Sequence, residues 1–197
     1  RAGLVAALSV VASSAFAQLG MFSSEQRAAI TSDWAGERFP DGRPKVADGL
    51  LERMKAVTAE EAWGVLTEAG YKSQFEGGWK EINAGAPGRR LVGRVVTAVF
   101  MPLRPDLNGA INKAAAAEKR VARGQTSWVI DTLQPGDVLV VDLYGKIENG
   151  TFIGDNLGTS IYAKTKKGVV VHGSVRDLSG IQEIEGFVAR FRAQATK

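Results

Sequence analysis

The sequence predicts an α/β domain whose functional site sits on a βαβ unit. Three observations point there. Leu91–Phe100 and Val138–Leu143 are β-branched and nearly continuous apolar runs, the pattern of buried strands. A helical stretch opens at Asp155 or Asn156, either of which can cap it, carries Leu157 and Ile161 inward, and runs to about Lys167, where Gly168 ends it. A third apolar run, Val169–Val171, follows at once. Strand, helix, strand in that order makes a crossover unit with parallel strands.

The other elements follow from local signals. Residues 18–46 form a polar connector, and Phe39–Lys45 (FPDGRPK) is a turn-rich loop with two prolines and an Asp-Gly pair. A helix comes next, with Leu50, Leu51, Met54 and Val57 on one stripe. Thr58 and Glu61 make a capping box for a second helix carrying Ala62, Trp63 and Leu66, which Gly70 stops. Gln74–Trp79 (QFEGGW) is a glycine-rich loop whose aromatics line a pocket or, more commonly, pack the loop down. Pro102 and Pro105 end the first strand, and Leu107–Gly124 reads as an alanine-rich helix closed by glycine. Pro135-Gly136-Asp137 and Asn149-Gly150 are turns around the second strand. Asn149-Gly150-Thr151 also matches a glycosylation sequon, though a turn is the simpler meaning. The tail from Glu185 (EGFVARFRAQATK) reads as lacking turn chemistry and strand alternation, and so as a short basic helix.

Composition narrows the chemistry. The chain has 197 residues, 45% hydrophobic and 23% charged, enough for one domain with a core and added segments. Its net charge of +4 is mild, and no run of five or six like charges marks a nucleic-acid surface. The absence of cysteine excludes disulfides, thiolate metal sites and a cysteine nucleophile. His172 is the one histidine, so a Ser-His-Asp triad or a histidine-ligated metal site would have to use it; oxygen ligands are the remaining option for a metal and suit magnesium, manganese or calcium. No Walker loop or dinucleotide glycine fingerprint is present.

Arg1 precedes an apolar run, Ala2 to Val11, and Ala15-Phe16-Ala17 fits a small-x-small cleavage site. Residues 1–17 therefore read as a secretory signal peptide without its starting methionine, and the mature chain as periplasmic or extracellular. A buried or lipoprotein-like N-terminal helix is the alternative, and without a signal the chain is cytoplasmic. The run is too short and too rich in small residues for a transmembrane helix, so no stable membrane anchor is expected.

The spacing between Asp155 and Arg176 is the main functional clue. Twenty residues separate them. The helix descends ~15 Å at 1.5 Å per residue, and the returning strand climbs roughly 17–20 Å. Arg176 and Asp177 therefore come back to the carboxyl edge that Asp155 left, where open α/β sheets bind ligands. Gly154 lets backbone approach a ligand, and the N–H groups around Asn156 and Leu157 form a helix N-terminus suited to an anion. Arg176 can grip a carboxylate, and Asp177 can coordinate a hard cation. Two interpretations stand level on these grounds: a metal-assisted carboxylate site, or a structural pair of Arg176 with Asp155 or Asp177 beside a capped turn.

Asp155, twenty residues, then Arg176-Asp177 resembles the Asp-x20-Arg-Asp signature of the RraA-like family. PGDVLVVD, GDNLGT and HGSVRD stand in that family's order, and LVGRVVTAVF is similar to its first core strand. The resemblance covers about Val46 to Ile184. RFPDGRPKV and EEAWGVL are similar to an exported bacterial branch sometimes labelled demethylmenaquinone methyltransferase. The resemblance implies a swivelling β/β/α fold, an αββα sandwich, assembled as a homotrimer or hexamer. It implies a lyase of the class II pyruvate aldolase type, cleaving 4-hydroxy-4-methyl-2-oxoglutarate (HMG), or an oxaloacetate decarboxylase. Gly154, Asp155, Asn156 and Leu157 would cradle a small 2-keto acid. Arg176 would bind its pyruvyl part and stabilise the enolate, Asp155 would hold a water that carries the proton, and Asp177 would bind Mg2+ or Mn2+. His172 falls at a position that varies in the family and reads as packed rather than as a base. A non-catalytic regulator of ribonuclease activity, or an inactive truncated homologue, is the alternative. The expected domain spans 47–185 and is incomplete, with 186–197 an atypical tail.

Overall fold

The computed structural model describes residues 22–84, 90–120 and 124–195. The proposed signal segment, residues 1–17, lies outside them, as does the 121–123 part of the expected alanine-rich helix. The chain divides into two compact units, residues 1–44 and 45–197.

In the first unit the polar connector contains a helix, α1 (Ser24–Ile30). Ser23 and Gln26 close a reciprocal capping box on it, a signal the sequence held in plain form. The proline-flanked turn is tied shut by an isolated bridge between Arg38 and Pro44. The Arg38 guanidinium donates to the carbonyls of Thr31, Trp34 and Gly42, and to the Thr31 hydroxyl.

The second unit holds α2 (Asp48–Met54), α3 (Ala59–Glu68), β1 (Lys80–Ile82), β2 (Arg94–Val99), α4 (Pro105–Ala117) and α5 (Gln125–Asp131). It continues with β3 (Asp137–Asp142), α6 (Asp155–Thr165), β4 (Val169–Val175), α7 (Leu178–Gln182) and β5 (Ala189–Gln194). The sheet order is β1-β5-β4-β3-β2. Strands β2 to β5 are parallel to their neighbours, and β1 joins β5 antiparallel. The Thr58–Glu61 capping box forms as the sequence indicates. QFEGGW stays largely exposed: Phe75 meets Trp63 but is half exposed, and Arg192 stacks over the partly buried Trp79.

Period-two alternation places the core. Leu139, Val141, Val169, Val171, Ala189 and Phe191 point to one face of the sheet. There they meet Ile130 of α5, Ile161 of α6 and Ile181 of α7.

Four expectations are corrected. The tail is the strand β5, not a basic helix: Ala189 and Phe191 are buried while Arg190 and Arg192 face away. Its alternation was present in the sequence, but the arginines on one face gave it the look of a basic helix. Strand β2 is an outer strand with alternating exposure, not a fully buried one. The expected helix from Leu107 to Gly124 stops at Ala117, and α5 begins separately at Gln125. Helix α6 ends at Thr165 and is capped by Lys166 in the left-handed conformation (φ 54°), so Gly168 does not stop it. Gly168 is needed instead because a Cβ there would overlap the Val188 carbonyl, against which β4 starts.

Candidate functional site

Strand β3 does not lead straight into α6. The intervening residues run beside β4 and bond to it. The N–H groups of Leu143 and Gly145 both donate to the His172 carbonyl, at 3.0 and 3.1 Å. Phe152 N–H donates to the Ser174 carbonyl at 3.2 Å, and Arg176 N–H to the Ile153 carbonyl at 3.0 Å. This stitching brings the start of α6 beside the end of β4.

Gly154 is the N-cap of α6, and no side chain caps the helix. The expectation that Asp155 or Asn156 would do so is corrected: the Asp155 carboxylate accepts the N–H of Asn156 at 2.7 Å from inside the first turn. The first helical bond is Gly158 N–H to the Gly154 carbonyl, so the Leu157 N–H stands before it at the positive end of the helix. Asp177 adopts a left-handed conformation (φ 55°, ψ 45°) as the N-cap of α7, which turns the chain sharply after Arg176. Such a conformation is uncommon outside glycine, and in an aspartate it is tolerated at modest cost.

Gly154, Asp155, Asn156, Leu157, Arg176 and Asp177 line one cleft of about 270 Å³. All six residues picked from the sequence thus meet there. Thr126, Thr151, Phe152 and Ile153 complete the wall, and sequence reasoning missed them. Phe152 and Ile153 carried the signal of an apolar pair after a turn; Thr126, at the start of α5, carried none.

Arg176 Nε lies 3.3 Å from Asp177 Oδ2, with the side chains 68% and 47% exposed. An ion pair so open to water is worth about 0–1 kcal/mol. It leaves both groups free to take a ligand at little cost. Gly154 packs tightly here, since a Cβ on it would overlap Asp177 Oδ2 and stand 3.2 Å from Arg176 Nε. His172 sits apart, its Nδ1 2.8 Å from Asp142 Oδ1 and its ring against Trp79.

Among the described residues no group of three or more histidine, aspartate or glutamate side chains is placed to hold a metal. Magnesium and manganese do not need such a cage. Mg2+ keeps most of its waters and binds through one or two carboxylates. Asp177, half exposed, and Asp155 in the same cleft supply that donor set, so the residues present fit the ion.

The family model described as RraA-like, Aldolase/RraA, matches residues 44–196. This chain belongs to the RraA-like family. The solved structure of Streptomyces coelicolor RraAS2, described as an unusual member of the RNase ES inhibitor RraA protein family, is 26% identical with a TM-score of 0.60. The match covers 77% of this chain and 66% of that one. An uncharacterized protein from Pseudomonas syringae pv. tomato str. DC3000 is 19% identical (TM-score 0.57), covering 82% of this chain and 64% of its own. A structure described under novel cellulases from microbes associated with the gut ecosystem is 16% identical (TM-score 0.59), covering 83% and 64%. The last two support the RraA-like fold alone. The RraA-like chain spans about two thirds of the length of these structures. No curated protein gives a match. Among the described residues no helix is long and apolar enough to cross a membrane.

Proposed function

We propose that this chain is a divalent-metal-dependent carbon–carbon lyase. It acts as a class II pyruvate aldolase of the HMG aldolase type, as an oxaloacetate decarboxylase, or as both. The convergence of Gly154–Leu157 with Arg176 and Asp177 in one cleft is the observation that supports this. Family membership supports it further.

Asp177 would hold magnesium or manganese, and Asp155 in the same cleft would hold one of the ion's waters. When bound, the ion supplies Lewis acidity at the 2-keto oxygen of the substrate. The Arg176 guanidinium grips the pyruvyl carboxylate and places fixed positive charge beside the oxygen where enolate charge develops. Gly154 gives the substrate backbone contact without a side chain in the way, and the α6 N-terminus favours its negative charge. The C3–C4 bond breaks, its electron pair forms the pyruvate enolate, and carbon dioxide or the carbonyl acceptor departs. Asp155 keeps one carboxylate oxygen on the Asn156 N–H. In the aldol case its other oxygen takes the C4 hydroxyl proton through water and returns it to C3; in the decarboxylation C3 takes a solvent proton by way of the same water. Buried Phe152 and Ile153 close the floor of the cleft to bulk water.

We also propose a small 2-keto acid as its ligand, no nucleic-acid partner, assembly as a homotrimer or hexamer, and export of the mature chain. The decisive experiment is pyruvate release from HMG or oxaloacetate by the purified protein. Release is expected with Mg2+ or Mn2+ and not after chelation. Arg176→Ala should lower kcat/KM at least about 100-fold, the scale of losing one charge-stabilising group. Unchanged turnover in that variant removes the role assigned to Arg176.

The description of RraAS2 as a ribonuclease-inhibitor family member supports a second reading, a protein that binds and restrains a ribonuclease. Ribonuclease inhibition that survives Arg176→Ala, in a protein that releases no pyruvate, would decide for it.

A further inference from the structure

Ser174 is polar and fully buried, and the chemistry above gives it no part. Its hydroxyl donates to the Ile147 carbonyl at 3.0 Å and lies 3.4 Å from Thr151 Oγ1. Its backbone forms an isolated parallel bridge with Thr151, and its carbonyl accepts Phe152 N–H. On its other side it pairs with Ala193 of β5, and the β4–β5 register shifts between Val171 and Ser174. The second half of β4 is therefore set afresh at this residue.

The residue before the helix N-cap depends on that setting. Phe152 and Ile153 are held by Ser174 and Arg176, and Gly154 follows directly. Gly154 fits against Asp177 because it has no Cβ. A slip of one residue would bring Ile153 or Asp155, each with a side chain, to that place and would turn alternate side chains to the opposite face. Backbone bonds alone do not choose between registers, since every residue offers the same N–H and C=O. A buried hydroxyl does choose, because leaving it unpaired is penalised. In the observed register it finds Ile147 and Thr151.

We infer that Ser174 is a positioning residue that pins residues 151–153 to β4 and so sets Gly154 against the Arg176–Asp177 pair. Its kinetic consequence rests on the lyase reading above; its structural consequence stands without it.

The test uses the full chain with Ser174→Ala and with Ser174→Cys, which nearly preserves volume and keeps a measurable protein should the alanine variant fold poorly. Amide exchange at Phe152 and Arg176 is expected to quicken about tenfold, roughly the effect of one buried hydrogen bond. Val169 and Val171 should keep wild-type protection. The KM for oxaloacetate should rise about tenfold with kcat changed by less than about threefold, the mark of lost ground-state placement. Unchanged exchange at Phe152 and Arg176 overturns the inference, as does a loss spread evenly along β4. Altered exchange with wild-type kinetics overturns the positioning role. A wild-type protein without activity counts against the lyase reading, while the exchange data still decide the pin.

Discussion

Gly154 and Asp177 divide the steric and the charge requirements of the site between them, so single substitutions separate the two. Gly154 has φ −118°, a value any residue adopts, so Gly154→Ala adds no backbone strain. Its Cβ would meet the Asp177 carboxylate, which is half exposed and can swing aside. Folding should therefore lose less than about 1 kcal/mol by urea titration, while kcat/KM for pyruvate release falls at least about tenfold. Asp177→Asn isolates the charge, since asparagine tolerates the left-handed conformation as well as aspartate does. Its melting temperature should stay close to wild type, and Mg2+-dependent turnover should fall about 100-fold or more. Turnover that persists with the amide would show that Asp177 is not the metal ligand. These residues were legible because helix rise and strand rise nearly cancel over twenty residues, which made convergence a matter of arithmetic. Thr126 was not legible. It reaches the cleft from α5, a separate segment whose placement depends on packing against α6 and the sheet.

Elements are placed here by a few close backbone approaches. Gly168→Ala would drive a methyl into the Val188 carbonyl at the junction of β4 and β5, where neither backbone has room to move. A loss of about 1–3 kcal/mol is expected in denaturant unfolding, in line with overpacking at buried positions. The turn of the first unit is held electrostatically instead. Burial pushes the Asp41 carboxyl up, but the Arg43 N–H and guanidinium hydrogen bonds, with the charges of Arg43 and Arg27, outweigh it. Together they hold the carboxyl below its usual range. A group with a lowered folded pKa stabilises fully above its unfolded value, near 3.8 here, and that stabilisation is lost as pH falls through the lower folded value. A carboxyl-detected NMR titration should place the Asp41 midpoint below the ordinary aspartate value, and Arg43→Ala should raise it. An unmoved midpoint in that variant would rule out Arg43 as the cause. At this scale the strands of the βαβ unit could be read directly, because valine and leucine on both of their faces leave an unbroken apolar run. β5 is less legible: over six residues its arginines alternate with alanine and phenylalanine, so its charge masks its period of two. β2 carries the same kind of apolar run as β3, yet sits at the sheet's edge. Composition records that a strand is apolar; it does not record whether its cover comes from the same chain.

That last point sets the expectation for the whole molecule. Parallel strands are ordinarily covered on both faces, and here α5, α6 and α7 meet the core on one. On the outermost strand Val95 and Val99 point the other way and are 55% and 62% exposed. The order β1-β5-β4-β3-β2 adds an open edge to the same strand. Among the described residues it places β2 at one end with a single partner, and no local sequence signal foretells such an order, because it is fixed by pairings between distant segments. An outer strand with an open edge and β-branched residues facing water invites association. Copies of this chain, in the homotrimer or hexamer proposed, would cover it. Sedimentation should then find a particle of about three or six times the 21.0 kDa chain. Replacing Val95 and Val99 together with lysine should shift it toward one chain mass. Far-UV circular dichroism should stay unchanged, since neither side chain belongs to the core cluster. A particle of unchanged mass in the double variant would place the contact elsewhere on the molecule. Loss of the dichroism signal would instead show that β2 needs its valines to fold within one chain.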